Sequence, residues 1–276
     1  MNGGSGPRII YGTAWKKEQT EALVIKAIRL GFRAIDTACQ PKHYDEAGVG
    51  RGVAACLNES LTRADLYLQT KFTPISGQDP YRTPYDPHAS LAAQVSQSFE
   101  TSLSNLATSY LDCWVLHSPL ADARQTAEAW RTMEAIVDAQ GAMQLGISNC
   151  YSLDYLERLH RSARVKPAVV QNRFYADTGY DRGIRAFCKD HGIVYQSFWT
   201  LTANPHVLAH DAVTALATKY GRTPAQVLFR YLTQEHVVPL TGTTSARHMR
   251  EDLEIFEFEL LEDERGSLSG LFGDRA

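Results

Sequence analysis

Residues 31–50 read GFRAIDTACQPKHYDEAGVG and contain a helix end, a short apolar strand and the start of a new helix. Gly31 is typical of the residue that follows a helix, and the apolar segment 34–36 ends on a carboxylate. So short an apolar segment suits a buried strand of a parallel sheet rather than a surface strand. Asp36 is then either a catalytic group at a strand end or a structural turn residue, and this stretch alone leaves both open.

The alternation of short strand and amphipathic helix continues along the whole chain. We predict strands at 8–11, 34–36, 65–71, 111–117, 144–148, 168–171, 194–198 and 237–240, each followed by helix. Eight such units over 276 residues indicate a (β/α)8 TIM barrel. A doubly wound open sheet is the alternative, but no GxGxxG follows the first strand. We therefore predict one barrel domain over residues 1–276, with a flexible leader at 1–7 and a short tail from about 262.

Composition excludes several classes of protein. The chain is 44% hydrophobic with a net charge of −3, which suits a soluble domain with a large core. It lacks a long uncharged apolar run and a signal peptide, so we expect a cytoplasmic protein with no membrane partner. It has no basic block, which argues against nucleic acid as a partner. Five scattered cysteines argue against disulfides and a metal site. We expect a monomer, with a weak dimer as the alternative.

Polar side chains stand at the ends of successive predicted strands. These are Asp36, Lys71, His117, Asn149 with the preceding serine, and Gln171. The carboxyl ends of barrel strands line the active face, because the strand-to-helix loops converge there. A purely structural protein has little reason to place an acid, a base, an imidazole and an amide at these positions, so the pattern favours an enzyme.

Several motifs, in this order, resemble the aldo-keto reductases, a family of NAD(P)H-dependent barrel oxidoreductases. They are GFRAIDTA, YLQTK, LHSP, QLGISN, FCKDHGI and YGRTPAQVLFRY, and the resemblance covers essentially the whole chain. It implies reduction of an aldehyde or ketone to the alcohol. The family's four catalytic residues fall on Asp36, Tyr44, Lys71 and His117.

Carbonyl reduction gives each of these four residues a physical role. The reaction needs a hydride on carbon and a proton on oxygen, and Tyr44 is the expected proton donor. A nearby Lys71 ammonium is expected to lower the pKa of the phenol. Asp36 would keep Lys71 charged and oriented, and His117 would donate a hydrogen bond to the substrate oxygen.

The loop between Asp36 and Glu46 is two residues longer than the usual family spacing. Counting from Asp36 places the family's tyrosine at Pro41, and counting back from Glu46 places it at His43. We assign Tyr44 because it is the only phenol in the loop, with a simple loop anchor as the alternative role.

The resemblance implies a nicotinamide cofactor, since no side chain supplies a hydride. We expect NADPH, with NADH as the alternative, because the cations that hold the 2′-phosphate in the family are missing from their usual positions. Hydroxyl groups and helix-start amides there still suit a phosphate, and neighbouring arginines can supply charge. The residues predicted to bind the cofactor are Thr13, Ser148, Asn149, Gln171, Ser197, Phe198, Thr241, Gly242, Thr243, Thr244, Arg247, His248 and Asp252.

The substrate is expected to be a small-molecule carbonyl in an open pocket. The C-terminal tail is short, and Ser118 stands where the family often has tryptophan, which removes one wall. The residues predicted to line the pocket are Trp15, His43, Ser118, Phe174 and Trp199.

Two other functions remain open from the sequence. One is a non-catalytic NADPH-binding sensor or regulatory subunit of the same fold. The other is a different barrel enzyme, such as a hydrolase or isomerase, which would bind no nicotinamide cofactor.

Overall fold

The computed structural model describes residues 6–58 and 60–273, and within them eight parallel strands close into a barrel. Each strand pairs with the next along the chain, and the last pairs with the first. The (β/α)8 prediction is therefore confirmed. The strands are β1 (Ile10–Gly12), β2 (Ala34–Asp36), β3 (Tyr67–Phe72), β4 (Cys113–Leu116), β5 (Leu145–Ser148), β6 (Val169–Arg173), β7 (Val194–Phe198) and β8 (Val237–Thr241).

Helices surround the barrel, and seven of those in the described part of the chain begin at a residue whose side chain accepts from a backbone N–H of the first turn. The helices are α1 (Thr20–Leu30), α2 (Glu46–Ala54), α3 (Leu91–Leu106), α4 (Ala123–Asp138), α5 (Leu153–Ser162), α6 (Arg182–Asp190), α7 (Pro205–Leu208), α8 (Asp211–Tyr220), α9 (Pro224–Gln234), α10 (Ala246–Leu253) and α11 (Glu262–Ser269). At α9, Thr223 and Gln226 form a reciprocal capping box, and Pro224 takes the first helical position, where its missing N–H costs nothing. None of the helices in the described part of the chain is long and apolar enough to cross a membrane.

Side chains alternate along each strand between two interiors, namely the space between the sheet and the helices and the inside of the barrel. In β4, Trp114 faces outward and its ring packs 4.9 Å from that of Phe99 on α3, within the main apolar core between sheet and helices. Its neighbours Cys113 and Val115 belong instead to a separate small apolar cluster with Val169, which fills the lower barrel. Above this cluster the barrel interior becomes polar.

The C-terminal tail is helical and packs on the outside of the barrel. Glu264 of α11 accepts hydrogen bonds from Lys219 and Tyr220 of α8. Phe272 stacks against Tyr231, with ring centroids 5.2 Å apart. The expectation of a short tail missed this helix, which is held to the flank of the barrel by these contacts. Residues 1–5 of the predicted leader lie outside the described residues.

Candidate active site

A buried ion pair lies at the ends of β2 and β3. Lys71 Nζ donates to both carboxylate oxygens of Asp36, at 2.7 Å each, and to the carbonyl of Thr37 at 2.8 Å. The two side chains are only 1% and 4% exposed, so the ammonium and the carboxylate neutralise each other away from solvent. The structure therefore brings Asp36 and Lys71 into direct contact.

Three buried glutamines form a polar layer beside this pair. Gln69 and Gln171 each donate an amide N–H to Asp36 Oδ1, at 2.7 and 3.0 Å. Both also donate to Gln196 Oε1, at 2.8 and 2.9 Å, and Gln196 returns a hydrogen bond to Gln69 Oε1 at 3.0 Å. The Asp36 carboxylate thus accepts from an ammonium and two amides, which fixes its orientation.

The two-residue insertion folds as a turn that carries Tyr44 into the site. The carbonyl of Gln40 accepts from the backbone N–H groups of both His43 and Tyr44, each at 3.1 Å. The Gln40 side chain in turn donates to the carbonyl of Gly77 at 2.7 Å. The turn takes up the extra length, so that Asp45 still caps α2 by accepting from the N–H of Gly48.

Tyr44 lies between Lys71 and His117. Its ring centroid is 5.4 Å from Lys71 Nζ and 6.1 Å from the imidazole centroid, with the two rings inclined at 68°. Both rings are half-buried, which leaves them reachable from the barrel mouth. Tyr44, Lys71 and His117, three of the four predicted catalytic residues, thus lie around one point at the barrel mouth. Asp36, the fourth, lies deeper and binds Lys71.

The surroundings keep both ring groups neutral. Burial, and then the negative charge of Asp36, raise the pKa of Tyr44 above its ordinary value of 10. The expected lowering of the Tyr44 pKa by Lys71 is not found, because burial and the charge of Asp36 outweigh the effect of the ammonium. Burial and the charge of Lys71 lower the pKa of His117 to about 3. Thr73 Oγ1 lies 2.6 Å from His117 Nδ1 and holds the imidazole ring.

Three of the residues predicted to bind the nicotinamide lie side by side at the ends of β5 and β6, and the fourth, Thr13, follows β1. Asn149 takes a left-handed backbone conformation (φ 52°), and its Nδ2 donates to the His117 carbonyl at 2.9 Å. Ser148 Oγ donates to the Gln171 carbonyl at 2.7 Å. Thr13 is fully buried and donates to the Asp36 carbonyl at 2.9 Å. Of these side chains only Asn149 is partly exposed, so the others position the strand ends.

The loop between β8 and α10 has the donor set that suits a phosphate. Gly242 and Thr244 are exposed, and Ser245 caps the helix by accepting from the backbone N–H of His248. Arg247 Nη2 lies 3.2 Å from His248 Nε2, and Lys16 Nζ donates to the Gly242 carbonyl. Thr243 is half-buried in the same loop. Cations, hydroxyl groups and helix-start amides together fit an anionic cofactor phosphate.

Three predicted cofactor residues have their side chains turned toward protein instead. Thr241 Oγ1 donates to Asp252 Oδ2 at 2.7 Å, and both residues are buried, so this pair ties β8 to α10. Ser197 is fully buried and accepts from Thr200 Oγ1 at 2.9 Å. These side chains therefore stabilise the structure around the site and, contrary to our prediction, are not exposed for contact with the cofactor.

Two exposed tryptophans flank the barrel mouth in left-handed backbone conformations. Trp15 (φ 64°) stacks on His43 at 3.9 Å between ring centroids. Trp199 (φ 57°) lies under the guanidinium of Arg173, 4.1 Å from Cζ to the ring centroid. Such backbone strain at an open cleft is typical of functional positions. Ser118 and Phe198 are half-buried at the same end of the barrel.

Phe174 does not line the pocket as predicted. It is fully buried, and its ring packs 5.0 Å from Tyr180 and 5.4 Å from Phe272. The reason is that β6 continues to Arg173, two residues beyond its predicted end, which turns Phe174 into the outer aromatic cluster.

Sequence reasoning missed four residues of this site: Lys16, Gln69, Arg173 and Gln196. The sequence did carry a signal for the two glutamines, because a glutamine side chain in a buried strand needs a hydrogen-bond partner at the same level of the barrel. Lys16 follows β1 closely and Arg173 ends β6, but Gly242 and Trp199, which they contact, lie on other parts of the chain. No group of three or more histidine, cysteine or acidic residues suited to a metal ion occurs in residues 6–58 and 60–273.

Comparison with known proteins gives one consistent result. Residues 3–271 match the family model described as the Aldo/keto reductase family. The chain is 30% identical over 258 residues to the glyoxal reductase of Bacillus subtilis, covering 93% of this chain and 84% of that protein. It is 26% identical over 301 residues to aldo-keto reductase family 1 member A1 of Gallus gallus, covering 98% and 86%. A Bombyx mori aldo-keto reductase in complex with NADP has a similar fold, with a TM-score of 0.82 at 24% identity, covering 97% and 90%.

Proposed function

Because the chain belongs to the aldo/keto reductase family, we propose that it reduces an aldehyde or ketone to the alcohol with a nicotinamide cofactor. The observation that carries this proposal is the meeting of Tyr44, Lys71 and His117 at the mouth of the barrel, over the buried Asp36 carboxylate. These side chains are distant along the chain, and carbonyl reduction needs such groups around one oxygen atom.

Tyr44 donates the proton to the carbonyl oxygen in this proposal. Its raised pKa keeps the phenol protonated at neutral pH, so a proton is always available. As the alkoxide forms, the nearby Lys71 ammonium stabilises the phenolate that Tyr44 becomes. Asp36 orients that ammonium through two hydrogen bonds.

His117 orients the carbonyl before the proton moves. A neutral imidazole whose Nδ1 accepts from the Thr73 hydroxyl carries its proton on Nε2, from which it donates to the substrate oxygen. The lowered pKa of His117 supports this neutral form at physiological pH. Two donors, the phenol and the imidazole, then act on the same oxygen.

NADPH would supply the hydride, with NADH as the alternative. Asn149 would contact the nicotinamide amide, with the buried Ser148 and Gln171 fixing the strand ends behind it, and Phe198 would lie near the ring. The loop of Gly242 and Thr244 with Arg247 and His248 would hold the phosphate of the adenosine half. Lys16, bonded to the carbonyl of Gly242, adds a positive charge beside that loop.

The first test is a fluorescence titration with NADPH and NADH, followed by NADPH oxidation with a panel of aromatic and aliphatic aldehydes. We expect binding of NADPH, turnover of several aldehydes, and a higher kcat/KM with NADPH than with NADH. A large NADH advantage would refute the cofactor preference. Cofactor binding with no turnover of any carbonyl would refute the reductase and favour a sensor or regulatory subunit, and no cofactor binding would refute both.

A further inference from the structure

Arg173 is the last residue of β6 and points toward the barrel mouth. Side chains alternate along a strand, and Gln171 two residues earlier faces the polar interior. Asn172 between them faces outward, where it donates to Asp181 at 2.6 Å and to the Cys150 carbonyl at 2.7 Å. Arg173 therefore lies on the same side as Gln171, at the open end of the barrel.

The guanidinium of Arg173 is held by aromatic faces and not by a counter-charge. Its Cζ lies 4.1 Å from the centroid of the Trp199 ring and 5.2 Å from that of Tyr175. In the described ranges 6–58 and 60–273, no carboxylate lies within 4.0 Å of it. Its Nε is buried and has no hydrogen-bond partner among these same residues. Aromatic stacking uses the flat face of the cation and leaves the N–H donors of its two Nη groups, which lie in the plane, for another group.

A chain of hydrogen bonds connects Arg173 to the catalytic histidine. The backbone N–H of Arg173 donates to Tyr151 Oη at 3.1 Å, and that hydroxyl donates to Asn149 Oδ1 at 3.3 Å. Asn149 Nδ2 donates to the carbonyl of His117 at 2.9 Å. The three strand ends are thus fixed relative to one another at the end of the barrel where Tyr44 lies.

We propose that Arg173 binds a carboxylate on the substrate, so that the preferred substrates are aldehydes or ketones that also carry a carboxylate group. This inference rests on the proposed reductase function. The planar guanidinium offers paired donors that match the two oxygens of a carboxylate. Trp199 fixes the guanidinium plane before the substrate arrives, which reduces the entropy lost on binding.

The test compares two substrates of nearly the same shape, 4-formylbenzoate and 4-formylbenzamide, in the wild type and in Arg173→Gln and Arg173→Lys. We expect the wild type to favour the anion in kcat/KM by about tenfold, the effect of one charge-assisted pair at a partly open site. Arg173→Gln should abolish the preference by raising KM for the anion, and Arg173→Lys should restore part of it. Arg131→Gln, on the outer face of α4, is the matched control and should change nothing.

Each other outcome overturns a defined part of this account. Equal kcat/KM for the two substrates in the wild type would overturn the carboxylate site and leave the reductase intact. A weaker NADPH Kd in Arg173→Gln, with an unchanged substrate ratio, would assign Arg173 to the cofactor and overturn the proposal. Calorimetric binding of 4-formylbenzoate to the NADP-loaded protein supplies a second readout. Binding that is lost in Arg173→Gln, without turnover of either substrate, would support the site and refute the reductase.

Discussion

Separating the two partners of the Asp36–Lys71 ion pair should strongly destabilise the protein. The pair is almost fully buried, with side chains 4% and 1% exposed, and Nζ is 2.7 Å from both carboxylate oxygens. Asp36→Asn leaves a buried ammonium without a counter-ion, and Lys71→Met leaves a buried carboxylate with only amide donors. Each single change should lower the free energy of unfolding by about 3–5 kcal/mol, since an unpaired buried charge keeps its desolvation cost.

The double variant distinguishes a charge pair from two independent packing effects. With both charges removed, no unpaired ion is buried, so the loss should be smaller than the sum of the single losses by about 2–3 kcal/mol. The assay is urea unfolding followed by circular dichroism at pH 7. The control is Asp138→Asn, which breaks an ion pair to Arg164 of the same 2.7 Å length but with both side chains more than half exposed, and it should cost less than about 0.5 kcal/mol. Single variants close to wild type, or additive losses, would refute the reasoning.

Three further predictions concern buried polar groups. Burial raises the pKa of Asp252 from 3.8 to about 6, because the folded protein favours the neutral carboxyl. This preference stabilises the folded state fully below pH 3.8, and the stabilisation is lost as pH rises through 6. Asp252→Asn should therefore raise the unfolding free energy by up to about 3 kcal/mol at pH 8 but not at pH 4, and an equal effect at both would contradict this. The pKa of His117 is lowered to about 3, because the folded protein favours the neutral imidazole. The stability that comes from this preference is full above pH 6.5 and declines as pH falls, because the unfolded chain then binds the proton more readily. Its imidazole NMR signals should not titrate between pH 8 and 5, and a midpoint near 6.5 would show that the ring is solvated. Gln196→Leu should lower the unfolding free energy in urea by about 2–4 kcal/mol, because two buried amides lose a partner; a loss below about 0.5 kcal/mol would show that the layer is not coupled.

The barrel could be predicted because each strand-helix unit is encoded locally. Short apolar segments such as 34–36, followed by helices with apolar residues at helical spacing, repeat along the chain. The same pattern predicted Lys71 and His117 at the carboxyl ends of strands, and the structure has them at the ends of β3 and β4. The short helix α7 and the tail helix α11 were missed, because four and eight residues are too few for a clear periodic pattern.

The details of the site depend on contacts between distant residues. The position of Tyr44 depends on a turn organised by Gln40, which spacing alone did not resolve. The expected lowering of the pKa of Tyr44 was wrong because the effect of Lys71 was considered without the burial of the phenol and without the nearby Asp36 carboxylate, both of which raise the pKa. The pairing of Arg173 with Trp199 joins the ends of β6 and β7, so neither residue predicts the other from its local sequence.

Proton donation by Tyr44 is most directly tested by single-turnover reduction of an aldehyde with saturating NADPH, comparing the wild type with Tyr44→Phe. Loss of the phenol O–H should slow the chemical step by about 10²–10⁴-fold. The Kd for NADPH should stay within twofold, and Tyr81→Phe at an exposed ring, 95% accessible, should change neither quantity. A Tyr44→Phe enzyme that keeps more than a tenth of the wild-type rate while binding NADPH normally would contradict the assignment of the proton donor.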